Sequence, residues 1–394
     1  MAKGFPLRVT RRADISAGKA WLVRLCAILL ALLTGGVFVA ILGYDPLAVY
    51  REMISGSLGS RMSIELTAKL TIPLLITSLG VTLAFKMRFW NIGAEGQICV
   101  GAIAATYFAL FHDDWPQWIL LLVMALAGIV AGGLYGMIPA YFKCRFGTNE
   151  TLLTLMLNYV ALYTIQALQQ GPWRDPTQLG FFKVARFSSS ARVPELLGVH
   201  AGWIVALALV ALFYVYLRHS KQGYELTVVG ENEATARYAG MPVKRVIIRT
   251  MFLSAGVCGL AGMLQASGAD RTLNDTVAGG VGFTAITVAW LARLNPIGML
   301  IVSVLFCILE KGSASVQSVY NLSAATAEVL QGIILFFVLG CEFFLTHRVC
   351  RAGKLEGGVE RGCRRVVQLH SGGDSRGHAA SVGNAGRNPY GEKR

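Results

Sequence analysis

The sequence has few charged residues and lacks several short motifs that mark common enzyme classes. Only 15% of its 394 residues are Asp, Glu, Lys or Arg. The chain has no GxxxxGK[ST] loop to cradle nucleotide phosphates and no HExxH helix of a zinc protease. Its eight cysteines form no CxxC pair. We therefore predict neither a disulfide framework nor a metal site, and no bound cofactor.

Apolar runs long enough to cross a bilayer recur along the chain. The sequence is 54% hydrophobic with a mean hydropathy of +0.54, more apolar than one soluble core of this length would require. These runs predict an all-α integral membrane protein, a polytopic bundle of about ten transmembrane helices with broken or re-entrant segments. The candidate spans are 20–43, 67–85, 92–111, 118–142, 151–168, 201–217, 245–267, 280–294, 296–310 and 325–346.

The basic residues are concentrated at one set of span ends. The formal net charge is +14, and Lys and Arg collect in the N-terminal segment, at 86–88, at 143–145, in 218–249 and after His347. With both termini in the cytoplasm, every one of these segments is cytoplasmic, as the positive-inside rule requires. The charge therefore indicates membrane topology, and we predict no nucleic-acid partner.

The apolar pattern divides the chain into a membrane domain and two basic ends. Residues 1–19 form a basic cytoplasmic N-terminus, and residues 20–346 form the transmembrane domain, which includes the cytoplasmic loop 218–249. The segment 347–394 is basic and rich in Gly and Ser, so it is predicted to be a disordered cytoplasmic tail. Attraction of this tail to anionic membrane lipid is an alternative role.

The stretch FWNIGAEGQ, residues 89–97, places polar side chains where a span begins. Asn91 is a candidate N-cap for a helix starting near Ile92, and Glu95 then lies near the positive end of that helix. Gln97 is able to form an interhelical hydrogen bond. Two interpretations stay open: a capped and tightly packed helix start, or direct contact of Glu95 or Gln97 with a substrate.

A polar stripe runs along the span that follows residue 150. Glu150, Thr154, Asn158 and Gln166 recur at multiples of four, so they share one face of an apolar helix. Polar groups are costly in lipid, and the stripe should therefore face protein or a water-filled path. Interhelical bonding and lining of a path both fit this pattern.

Glycines cluster in the last third of the chain. Gly256, Gly259 and Gly262 permit close packing of helices, whereas the glycines at 279, 280 and 282 suit a break in the backbone at membrane depth. Breaks of this kind are places where transporters bind solutes. We therefore assign Phe283 and Thr284, which follow the break, to a substrate path beside Asn91, Glu95, Gln97, Glu150, Thr154 and Asn158.

The cytoplasmic loop contains a short helical pattern, GENEATARYAG, between Gly230 and Gly240. Acidic residues stand at its start and Arg237 near its end, as the helix dipole favours. A short helix displayed on such a loop suits docking into a groove of a soluble partner, and a solvated loop helix is the alternative. The residues predicted to dock are Glu231, Asn232, Glu233, Ala234, Arg237, Tyr238 and Gly240.

These segments together resemble the inner-membrane permease subunits of ATP-binding cassette importers, in the branch that serves branched-chain amino acids and simple sugars. FWNIGAEGQ, TNETLLTLMLNY, GPWRDP, GENEATARYAGM and GFTAITVAWLARLNPIG are most similar to the nucleoside or simple-sugar group. The resemblance extends over about residues 25 to 345, in the same order throughout.

The resemblance implies a multi-pass protein of the bacterial inner membrane that performs no catalysis itself. It implies a second related permease, an extracytoplasmic substrate-binding protein, and ATPase subunits that bind ATP and Mg²⁺ and receive the short helix as a coupling helix. Nucleosides are the expected solute. A ribose-like sugar, an ion-coupled secondary transporter and a membrane transferase built on Asp113 and Asp114 are the alternatives.

Overall fold

The computed structural model describes residues 7–11, 17–176 and 182–351. Within these residues the chain is almost entirely helical. The helices are α1 (Ala17–Ile41), α2 (Pro46–Leu58), α3 (Arg61–Lys86), α4 (Ala94–Phe111), α5 (Gln117–Phe146), α6 (Glu150–Gln170), α7 (Gly202–His219), α8 (Lys221–Glu231), α9 (Glu233–Tyr238), α10 (Val243–Leu264), α11 (Val281–Leu291), α12 (Pro296–Tyr320) and α13 (Ala324–Thr346). A π-helical segment, Gln265–Asp270, continues α10.

Four short strands accompany the helices in the described part of the chain. Strands β2 (Glu195–Leu196) and β3 (Val199–His200) form a small hairpin between α6 and α7. Strands β1 (Leu7–Arg11) and β4 (His347–Arg351) pair antiparallel, with Leu7 opposite Arg351. The strand β4 occupies the first residues of the predicted disordered tail, and the rest of that tail, from residue 352, lies outside the described residues.

The chain divides into two compact units. One comprises Ala27–Leu339, and the other comprises Met1–Cys26 with Gly340–Arg394. The larger unit contains the helical bundle and its hydrophobic core, and the smaller unit contains the β1–β4 ribbon. The features described below all lie in the larger unit.

Seven of the described helices are long and apolar enough to cross a membrane: α3, α4, α5, α6, α7, α10 with its π-helical end, and α12. Residues Leu25–Ile41 of α1 and the helix α2 form an eighth candidate that is bent by 114°. The helix α11 is apolar but has only 11 residues. The predicted class, an all-α membrane bundle with broken segments, is confirmed.

The helix α12 differs from the span predicted for this region. The prediction that this span ends at residue 310 is wrong, because α12 continues to Tyr320. Glu310 and Lys311 interrupt the apolar run and resemble a span end, but they lie inside one continuous helix. The predicted span 280–294 is also shortened, to the helix α11.

The helix α10 lies at the centre of the bundle and packs against α3, α4 and α5. Glycines make this packing close: a Cβ added at Gly101 of α4 would lie 2.2 Å from the carbonyl oxygen of Gly259 in α10. At Gly262 an added Cβ would lie 2.0 Å from the carbonyl oxygen of Ile98. The close packing predicted for the glycines of α10 is therefore confirmed.

The two ends of the bundle are distinguished by different connections. We call the end that carries residues 182–201 the loop end, where Lys69 near the start of α3 lies 3.4 Å from Glu195. We call the opposite end, which carries α8 and α9, the α9 end. There the backbone at Gly230 lies against the carbonyl of Lys86, the last residue of α3.

Candidate functional site

The segment before α4 is held by a pair of side-chain amides. Asn91 and Gln97 donate to each other, with distances of 3.2 and 3.1 Å, and both side chains are buried. The Oδ1 atom of Asn91 also accepts from the backbone N–H of Gly93 at 3.0 Å. The prediction that Asn91 caps a helix beginning near Ile92 is therefore wrong, because its side chain forms a turn ahead of the helix and Gly93 is the N-cap.

The polar stripe of α6 bonds to this same segment. The side chain of Asn158 accepts from the N–H of Gly96 at 2.8 Å and donates to the carbonyl of Ile92 at 2.9 Å. The hydroxyl of Thr154 accepts from the N–H of Ile92 at 3.2 Å. Both side chains are buried. Of the two interpretations of the stripe, these contacts favour interhelical bonding, since its central polar atoms are used to join α6 to the start of α4.

Glu150 lies at the α9 end of the stripe. Its carboxylate pairs with Lys143 at 2.5 Å, and both side chains are mostly buried. The pair joins the last turn of α5 to the first turn of α6. Glu150 therefore stabilises the connection between these two helices, on the side of the bundle that also carries α9.

Glu95 joins two segments that are far apart in the sequence. One carboxylate oxygen accepts from the N–H of Gly280 and the other from the N–H of Gly282, each at 2.7 Å. These groups belong to the first turn of α11, whose N–H groups have no partner within the helix. A Cβ added at Gly282 would lie 2.3 Å from the backbone nitrogen of Glu95, so only glycine permits this approach. Glu95 thus caps the broken helix.

A cavity of about 400 Å³ lies at the start of α11, towards the loop end. It is bordered by α3, α11, α12 and α13, and a volume of this size is typical of sites for small solutes. Most of its lining is polar: Thr284, Glu310, Ser313, Gln317, Glu328 and Gln331. The remaining lining residues are Leu70, Leu74, Gly279, Val281 and Ala314.

The acidic residues of the cavity are exposed on the surface of the isolated chain. Glu310 lies 14 residues after Pro296 and 10 before Tyr320, far from both ends of α12. Within the part of the chain that the structure describes, neither Glu310 nor Glu328 forms an ion pair. A carboxylate facing lipid at this depth is costly, by about 3 kcal/mol on insertion scales. This side of the chain therefore faces water or another protein.

The sequence contained a signal for this cavity. Glu310, Ser313 and Gln317 recur at helical spacing, as the α6 stripe does, but the predicted span ended at residue 310. Of the residues assigned to the path from the sequence, Thr284 lines the cavity. Phe283, one position before Thr284 in α11, is 45% exposed but is not among the residues that line the cavity. The other assigned residues make the contacts described above: Asn91, Glu95, Gln97, Glu150, Thr154 and Asn158.

The short helix α9 projects from the opposite end. Asn232 caps it, accepting from the N–H groups of Ala234 and Thr235 at 2.8 and 3.2 Å. Glu231 is the last residue of α8, so the prediction that one helix extends from Glu231 is wrong: Asn232 separates two helices. Tyr238 is 93% exposed, and Arg237 lies 3.6 Å from Glu233 on the same exposed surface.

A second cavity, of about 550 Å³, separates α9 from the turn between α5 and α6 and from the start of α10. Charged side chains line it, including Lys143, Glu150, Glu233, Arg237 and Lys244. The helix α9 therefore presents a capped, charged and largely uncovered surface at this end of the bundle. No group of three or more potential metal ligands occurs among the residues that the structure describes.

Comparison with known proteins identifies the family. Residues 63–339 match the family model described as "Branched-chain amino acid transport system / permease component". The chain belongs to this permease family. It is 33% identical to the glucose ABC transporter permease protein TsgB13 of Haloferax volcanii, over 87% of this chain and 93% of that protein.

Two further relatives have names that refer to nucleosides. The permease is 29% identical to the guanosine ABC transporter permease protein NupP of Bacillus subtilis, over 80% of this chain and 92% of that protein. It is 27% identical to the nucleoside ABC transporter permease protein NupB of Lactococcus lactis, over 80% and 90%. The resemblance to permeases of ATP-binding cassette importers is confirmed, and the protein is a multi-pass membrane permease.

Proposed function

We propose that this chain is the transmembrane subunit of an ATP-driven importer that carries nucleosides across the bacterial inner membrane. The observation that carries the proposal is the polar cavity at the start of α11, in a chain of a permease family. A broken helix beside a polar cavity is where transporters bind solutes at membrane depth. Solute passes by alternating access, and this chain forms and breaks no covalent bond.

Two observations support a nucleoside as the solute. Hydroxyl, amide and carboxylate groups line the cavity and suit the hydroxyls of a ribose. Two relatives are named for guanosine and for nucleosides. Glucose or a ribose-like sugar is the second candidate, favoured by the 33% identity to a glucose permease.

The remaining subunits follow from the orientation of the chain. By the positive-inside rule, the basic segments beside α8 and α9 support a cytoplasmic α9 end, and we infer that both termini are cytoplasmic as well. There α9 docks on an ATPase subunit that binds ATP and Mg²⁺. A second related permease lies against the exposed side of α12, and an extracytoplasmic binding protein delivers solute at the loop end. Because Glu310 is exposed in a cavity at the surface of the isolated chain, we infer that a partner on that side completes the path.

Uptake by whole cells tests the proposed function. Labelled uridine, adenosine, ribose and glucose are supplied to cells with and without this chain, before and after ATP depletion. We expect nucleoside uptake to require both the chain and ATP. Loss of sugar uptake alone would overturn the nucleoside assignment, and uptake that follows an ion gradient after ATP depletion would overturn the ATP-driven mechanism.

The coupling role of α9 has its own test. Arg237→Glu reverses an exposed charge, and a pair this exposed contributes little stability, about 0.5 kcal/mol. We expect uptake to fall about tenfold while ATP hydrolysis by the assembled complex continues and the amount of folded protein is unchanged. Lys221→Glu at the start of α8 is the matched control and should leave uptake intact. Equal uptake in both variants would remove the case for α9.

A further inference from the structure

We propose that the cavity at the start of α11 selects solutes by charge, taking uncharged or cationic solutes and refusing phosphorylated ones. The inference rests on the proposed function, because it assigns that cavity to the solute path. It specifies the solute further: a nucleoside enters, and the corresponding nucleotide does not.

The lining of the cavity is acidic. Among the described residues that line it, Glu310 and Glu328 are acidic and none is basic. Their carboxylates accept hydrogen bonds and donate none when ionised, so they suit hydroxyl and amino groups of a solute. A phosphate in the cavity would place its charge close to theirs, within the screening length of physiological salt, so the repulsion would be only partly screened.

The start of α11, a helix end that would otherwise attract an anion, is already neutralised. The N-terminus of a helix carries a partial positive charge and free N–H groups, which favour phosphate and carboxylate groups. At α11 these groups are occupied by Glu95, which bonds the N–H of Gly280 and of Gly282. The full negative charge of Glu95 exceeds the partial charge of the helix end, about +0.5, so the start of α11 offers an anion no net attraction.

The nearby cations face elsewhere. Lys311 follows Glu310 in α12 but is not among the residues that line the cavity. Lys69, one position before Leu70, lies 3.4 Å from Glu195, and Arg271 lies 2.6 Å from the same carboxylate. These two cations are therefore paired at the loop end, outside the cavity, and the negative charge of the lining is left uncompensated by described side chains.

Cysteine modification in the complete importer tests the charge of the cavity without relying on any one solute. Thr284→Cys and, separately, Gln317→Cys introduce thiols at two lining positions. Each is reacted in membrane vesicles with a cationic trimethylammonium-ethyl and an anionic sulfonatoethyl methanethiosulfonate. Tyr224→Cys, on the exposed surface of α8, is the control outside the cavity and outside the docking helix α9, and the parent chain supplies the background reaction of its native cysteines.

We expect the ratio of cationic to anionic reaction rates to be about tenfold higher at positions 284 and 317 than at position 224. Adding Glu310→Gln should lower the ratio at position 284 about threefold and leave it unchanged at position 224. Equal ratios at all three positions would overturn the inference, and so would a complete lack of reaction at both lining positions.

Protection by solutes separates this inference from the proposed function. Uridine should slow the reaction at position 284, and uridine 5′-phosphate at the same concentration should not. Protection by both equally would overturn the charge selection. If glucose protects in place of uridine and the rate ratio persists, the nucleoside assignment fails and the charge selection stands.

Discussion

The helices α6 and α12 both carry polar side chains along one face of an apolar helix, but they use them differently. On α6, Thr154 and Asn158 are buried and bond the backbone of residues 92–96. On α12, Glu310 and Gln317 line a cavity, and Glu310 is exposed on the surface of the chain. A polar group in a membrane helix thus either satisfies backbone groups of a neighbour or faces water and solute.

The difference affects how substitutions at the two stripes should be interpreted. Removing a polar atom that satisfies a buried backbone group leaves that group unpaired, so the folded state loses stability. Removing one that faces a cavity leaves the fold unchanged and weakens an interaction with solute. Stability and transport therefore separate the two helices, and the following substitutions test that separation.

The largest effect is expected for Asn158→Leu. The variant leaves the N–H of Gly96 and the carbonyl of Ile92 unpaired, at a cost of about 3 kcal/mol. We expect the Tm of the detergent-solubilised protein to fall by about 5 °C. Gln166→Leu on the same stripe is the control, because the Gln166 side chain bonds none of the described residues. An unchanged Tm with lost uptake would mean that Asn158 acts on solute instead.

A smaller effect, on transport alone, is expected for Glu310→Gln. The amide keeps the shape of the carboxylate but removes its charge, so uridine uptake should fall about tenfold. The Tm should change by less than about 1 °C, since Glu310 pairs with no described cation. Asp114→Asn, in the exposed turn between α4 and α5, is the control and should alter neither quantity. A decrease in Tm as large as that expected for Asn158→Leu would contradict the assignment of α6 to stability and α12 to solute.

The smallest effect is expected for Thr154→Val, which keeps the shape of the side chain and removes one hydroxyl. The N–H of Ile92 loses its acceptor, at a cost of about 1 kcal/mol. Thermal unfolding should show a decrease of about 2 °C. Thr164→Val on the same helix is the matched control, because the exposed Thr164 hydroxyl bonds only the carbonyl of Val160 within α6. Equal decreases in both variants would contradict a role for Thr154 in joining α6 to α4.

Several parts of the fold were predictable because they depend on local composition. Apolar runs identified the membrane helices, and the glycines of α10 predicted its close packing. The acidic and basic residues around α9 predicted a short helix. The boundary at Asn232 was missed because this single Asn stands within a pattern that is otherwise helical on both sides. Glu95 was expected near the start of its own helix, but nothing in the local pattern connects it with Gly280, 185 residues later.

By itself, the sequence determined the class of the protein and which residues share a helix face, and its motifs carry the resemblance to the permease family. The class and the helix faces follow from composition and from a period of 3.6 residues, which are both local. Only the tertiary structure decided what each face meets: α6 meets the backbone before α4, and α12 meets a cavity. The reason is physical, because periodicity sets the direction of a side chain about its own helix, whereas its partner is set by the packing of segments far apart in the chain.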